Sequence, residues 1–154
     1  MKHKINGAGI AVTGFLIFLL LFIIAVLWSL NVSGPARAYE EKIAAQIEAI
    51  HKEHDAIENI ERDVFRYVTY IGEDQEMYYW LNEEAQVITT REKKTRDDDA
   101  VLSAAAKLGY ESASIRLGYG YDNPVYVVNT GGKILLFDYD SHEFIYEREV
   151  MNDE

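Results

Sequence analysis

From Gly7 to Leu30 the chain is an unbroken apolar run without a charge, preceded by Lys2, His3 and Lys4. A helix rises ~1.5 Å per residue, so this run covers a ~30 Å hydrocarbon core. Its hydroxyls, Thr13 and Ser29, can bond back to their own helix, and Trp28 suits a membrane interface. A different period follows. Between Ala36 and Arg62, Ile43, Ile47, Ile50, Ile57 and Ile60 recur at spacings of three, four and seven among Glu and Lys, with no Gly or Pro. That spacing predicts one amphipathic helix of about seven turns. Its stripe can pack on the domain that follows or pair with a second copy, giving a homo-oligomer through the 36–62 helix. Packing on the sheet is the reading taken.

Asp63 to Lys93 then reads as an antiparallel meander of three strands, ending at Ile71, Leu81 and Thr90, with polar turns at Glu73–Gln75 and Asn82–Glu84. Asp97, Asp98 and Asp99 open a helix over Ala100–Leu108 that Gly109 closes. Strands are predicted over Ser114–Tyr121, Val125–Asn129, Lys133–Asp138 and Glu143–Glu149, with Gly131-Gly132 as a hairpin turn. The two β stretches superpose without a gap at an offset of 57 residues: Val68 falls on Val125, Ile71 on Val128, Met77 on Ile134, Trp80 on Phe137, Ile88 on Ile145. The expected fold class is therefore α+β: an N-terminal transmembrane helix, then two tandem units of a helix plus a three-stranded antiparallel sheet. The boundaries are 1–6 N-terminus, 7–30 membrane anchor, 31–38 linker, 39–96 first unit with its long leading helix, 97–150 second unit and 151–154 tail.

Charge adds orientation. Lys2 and Lys4 flank one end of the apolar run, and Arg37 is the sole basic residue among the first ten after Leu30, which places the N-terminus in the cytoplasm and the chain from about Asn31 outside. The alternative is a cleaved signal peptide, with Ala36 and Ala38 as an A-x-A site before Tyr39. Secretory apolar regions run to about 7–15 residues, so an uncleaved anchor is the reading taken. From Tyr39 onward 12 Lys and Arg stand against 26 Asp and Glu, a formal charge of −14. Such a surface disfavours nucleic acid and anionic membranes. Without cysteine there is no disulfide, thiol nucleophile or thiolate metal site.

Candidate chemistry is sparse. Glu48, His51, His54, Asp55 and Glu58 have metal-like spacing but lack an H-E-x-x-H motif, and His54 fits a packing slot between Ile50 and Ile57. Asp138, Asp140 and Glu143 lack the glycine and terminal Glu of a calcium loop and read as a turn whose Asp side chains bond local amides. Ser103, Ser112, Ser114 and Ser141 have no G-x-S-x-G or S-x-x-K context, and Gly118-Tyr119-Gly120 is no phosphate loop. No enzyme activity, metal or cofactor is expected. Eleven tyrosines remain. A sheet covered by a helix on one face leaves some aromatics near solvent, and the candidate partner surface is Tyr78, Tyr79, Trp80, Tyr119 and Tyr121.

The basic N-terminus and single span, the charged helix behind it, Phe65-Arg66-Tyr67-Val68-Thr69-Tyr70-Ile71 leading to Met77-Tyr78-Tyr79-Trp80-Leu81, and the run from Leu135 to Tyr146 together resemble the TseB-like cell wall elongation regulators, which carry tandem PepSY-like, cystatin-related domains. One turn departs from the family pattern: Ser141 and His142 stand where a Thr-Gly pair is common. The resemblance implies a non-enzymatic membrane protein whose extracytoplasmic part contacts a penicillin-binding transpeptidase and modulates peptidoglycan elongation. PepSY-like domains elsewhere imply the alternative, an inhibitor or chaperone of a secreted protease or hydrolase.

Overall fold

The computed structural model describes residues 7–29, 34–111 and 114–150. Lys2, His3, Lys4, Leu30, Asn31, Ser112 and the 151–154 tail lie outside the described residues. The chain divides into Met1–Ala45 and Gln46–Glu154.

In the first unit, helix α1 spans Gly7–Trp28. Its window Ala11–Trp28 has mean hydropathy 2.8 and no buried residue, so it is long and apolar enough to cross a membrane. The Thr13 hydroxyl donates to the Gly9 carbonyl at 2.9 Å, which satisfies it without an outside partner. Helix α2, Gly34–Glu53, begins inside the stretch expected to be a linker.

α2 also stops earlier than the isoleucine spacing predicts. Its last helical bond runs from the His54 amide to the Ile50 carbonyl, and a turn brings the Ile57 amide to the His54 carbonyl at 3.1 Å. Strand β1, Glu58–Val64, follows. Ile57 and Ile60 therefore reach the sheet from extended chain, not from a helix running to Arg62. The first sheet has four strands in the order β1, β2 (Val68–Glu73), β3 (Met77–Leu81) and β4 (Val87–Glu92), one more than predicted.

Helix α3, Asp98–Lys107, forms as the sequence predicts. The Asp97 side chain accepts from the Ala100 amide at 2.9 Å, Asp98 and Asp99 occupy the first turn, and Gly109 sits just beyond the end at φ +86°. The second sheet runs β5 (Ser114–Tyr119), β6 (Pro124–Asn129), β7 (Lys133–Asp138) and β8 (Phe144–Glu149), in sequence order and antiparallel, so it too has one strand more than the three expected of a tandem unit.

The two sheets share their turns, but not at one constant offset. The Asp74 amide to Met77 carbonyl bond has its counterpart in Thr130 to Lys133, a separation of 56 residues. The next turn runs from Asn82 to Gln86 in the first sheet and from Asp138 to Glu143 in the second, one residue longer. Only β4 and β8 then lie 57 apart. Because side chains alternate across a strand, that single residue exchanges the faces of β2 and β3 relative to the gapless match. The counterpart of Phe137 is Leu81, and Tyr70 corresponds to Tyr126.

Both faces of the first sheet are covered. Tyr70 and Leu81 pack with Ile50, Ile57 and Ala85 on the α2 side. Ile71 and Trp80 join Val101 and Ala105 of α3 and Tyr126, Val128, Leu135 and Phe137 of the second sheet. Burying side chains of this size contributes about 1.5–3 kcal/mol each. Ile50 is 1% exposed and Ile47 is partly buried in the same cluster, so this half of the helical stripe is occupied by the chain's own core.

The sheets meet along β1 and β5. The Trp80 indole donates to the Gly118 carbonyl at 2.8 Å, and buried Asp63 accepts from Arg116 at 2.7 Å and from the Tyr119 amide at 3.0 Å. Arg91 of β4 makes a two-pronged contact with Asp140 at 2.7 and 2.8 Å and reaches Asn123 at 3.2 Å. Phe65, in the β1–β2 turn, packs on Val125, Val127 and Leu136 of the second sheet.

Candidate functional site

The strand pleat separates the five aromatic residues singled out from the sequence. Trp80 is fully buried with its indole N–H bonded to Gly118, which removes it from any surface. Tyr78, on the same face, is half-buried, edge-on to Trp80, and flanked by Lys93 and Arg96 at 5.5 and 5.9 Å from its ring centre. Tyr79 points to the α2 side and donates to Asp74 at 2.6 Å. That bond holds the Asp74 carboxyl below its ordinary range and raises the Tyr79 hydroxyl above its own. Tyr119 is half-buried and donates to the Asp122 carbonyl at 3.2 Å, and burial pushes its hydroxyl up. Tyr121 is exposed.

The structure assembles a different group. Tyr121 meets Phe65 edge-on at 5.2 Å, and the Arg66 guanidinium lies over both Tyr67 and Tyr121, 5.6 and 5.9 Å from the ring centres. Beside them Tyr67, Val68, Thr69, Asn82, Glu83, Glu84, Ile88 and Tyr119 line a hollow of about 550 Å³ at the turn end of the first sheet. Tyr67 and Ile88 expose 54% and 42% of their surface, large values for side chains of their type. Local hydrogen bonds hold the acidic rim: the Asn82 side-chain oxygen accepts from the Glu84 and Gln86 amides, and Gln46 donates to Glu83 at 2.9 Å. A helix running to Arg62 puts residues 65–67 inside the first strand; with β1 at Glu58–Val64 they form a turn, from which Arg66 and Tyr67 reach solvent while Phe65 packs on the second sheet.

The remaining candidates are occupied locally. His54 Nε2 lies 2.9 Å from the Ala85 carbonyl, and Glu58 sits on β1, away from the helix that carries His51. Among the described residues no group of three His, Cys, Asp or Glu is placed to hold a metal. Asp138 accepts from the Asp140 and Ser141 amides at 2.9 and 2.8 Å and from the Ser141 hydroxyl at 3.1 Å, so its turn is built by its own side chain. A second hollow of about 340 Å³ beside Tyr78 contains Arg96 and Arg116, and both guanidiniums already carry carboxylates, Asp98 and Asp63.

The Gly118-Tyr119-Gly120 segment serves packing. A Cβ on Gly118 would lie 2.6 Å from Val127 Cγ2 and 2.9 Å from Asp63 Oδ2.

Compared with family models, with curated proteins and with solved structures, the chain matches none.

Proposed function

We propose that this chain is a single-pass contact protein, its N-terminus cytoplasmic and its paired sheets extracytoplasmic, that acts by binding a membrane partner and not by catalysis. The observation that carries this reading is the pairing of an unburied apolar helix with solvent-facing aromatic and aliphatic side chains at one end of the sheets. Tethering supplies the affinity such a surface lacks by itself, because confinement near a partner gives an effective concentration of order millimolar. The partner proposed, a penicillin-binding transpeptidase engaged in peptidoglycan elongation, comes from the resemblance to the TseB-like regulators.

The test uses the full chain in detergent as immobilised bait for solubilised membranes of the source cells, read by mass spectrometry. Enrichment of a transpeptidase over a control bait is the expected result. Enrichment of a secreted protease or hydrolase without a transpeptidase overturns it in favour of an inhibitor.

A further inference from the structure

We infer that the hollow between Tyr67, Tyr119 and Ile88 docks an extended partner segment in which Lys or Arg side chains flank an aliphatic anchor. This rests on the contact-protein reading and names the surface and the chemistry it selects. Tyr67, Ile88 and Tyr121 are among the exposed large apolar residues of Gln46–Glu154, and the first two line the hollow while Arg66 bridges Tyr67 to Tyr121. Apolar side chains gathered at a concave surface mark a contact site more strongly than the same residues scattered.

Charge decides the occupant. Glu83 and Glu84 form the rim, and the chain beyond Tyr39 carries −14. A basic segment gains from that field, whereas nucleic acid and an anionic lipid surface lose. A second copy docking by two-fold symmetry would bring the same two glutamates against themselves. Arg66 covers one face of Tyr67 and one of Tyr121, which leaves less ring surface for sugar stacking. The rim is held in place by the Asn82 turn, so little ordering cost is left for binding.

The experiment uses the full chain in phosphatidylcholine nanodiscs and a fluorescein-labelled, end-blocked peptide, Gly-Lys-Val-Lys-Leu-Lys-Val-Lys-Gly, read by anisotropy against empty nanodiscs. Saturable binding is expected, weakened about tenfold by Tyr67→Ser and by Ile88→Ser, each an exposed position. The pair Glu83→Gln and Glu84→Gln should weaken binding and flatten its salt dependence. The remote pair Asp99→Asn and Glu111→Gln should leave it unchanged, and a twin peptide with Glu for Lys should not bind. Equal affinity across all variants, equal loss in the remote pair, or displacement of the peptide by chitotetraose overturns the assignment. Transpeptidase capture that survives Tyr67→Ser and Ile88→Ser would remove this docking site and leave the contact reading standing. Absence of capture by the unaltered chain would remove the contact reading itself, whatever the peptide does.

Discussion

Asp63 and Arg116, 53 residues apart in sequence, form a 2.7 Å ion pair that fastens one sheet to the other. The pair is unequal: the Asp63 side chain is 3% exposed and that of Arg116 is 47% exposed. Removing the arginine leaves a buried carboxylate with the Tyr119 amide as its remaining hydrogen-bond donor across the seam. Arg116→Met should cost about 2–4 kcal/mol in urea unfolding. An unchanged midpoint would show that solvent reaches Asp63.

Gly118 stands against the same carboxylate. Gly118→Ala forces a methyl to within 2.6 Å of Val127 and 2.9 Å of Asp63, so one of them must shift and the Trp80 hydrogen bond with it. The expected loss is about 1–3 kcal/mol. A red shift of the emission from buried Trp80 in the still-folded variant would report the opened seam.

His142 has φ +58°, the left-handed region that favours glycine. His142→Gly should stabilise by up to ~1 kcal/mol, less whatever its ring gains 5.8 Å from Tyr126. His142→Val should destabilise by about 1–2 kcal/mol, since a β-branched residue resists that conformation. Equal melting temperatures for the two would refute the account.

The Thr69 hydroxyl is buried without a hydrogen-bond partner. Thr69→Val keeps the shape and removes the unpaired group, so an increase of about 1 kcal/mol is expected. A decrease would mean that an ordered water serves it.

Acid should loosen the Arg91–Asp140 seam. The Arg91 bond holds the Asp140 carboxyl below its ordinary value. At Asp138 burial pushes upward, and the bonds from Asn123, Ser141 and Asp140 outweigh it, leaving that carboxyl lowered too. A carboxylate lowered by folding stabilises fully above its unfolded value of about 3.9, and that contribution disappears as pH falls through the folded value. Urea midpoints should hold steady from pH 7 to about 5 and fall below about 4. Asp140→Asn should lower the plateau and reduce the fall.

The legible parts of this chain are those whose causes are local. The apolar run needs only its own hydropathy, and Asp97 and Gly109 bracket α3 within a few residues of the bonds they make. Strands β6 to β8 are read from short apolar runs between turn residues such as Gly131, whose φ is +82°. Ile57 and Ile60, three apart, fit a helical stripe and would fall on opposite faces of a regular strand; the register shift between Glu58 and Glu61, with Asn59 at φ +50°, brings both beside Tyr70 and Leu81, and that packing settles the end of α2. A sheet covered by a helix on one face alone leaves Trp80 at the surface; in the structure α3 and the second sheet cover that face. The extra residue between Asp138 and Glu143 reverses which side of β2 and β3 matches the second sheet, a parity that composition does not encode. Hydropathy, caps and turns thus determined α1, α3 and strands β2 to β8, though not β1. Only tertiary packing decided which face each strand buries, and with it which tyrosines remain at the surface, because burial depends on partners tens of residues away.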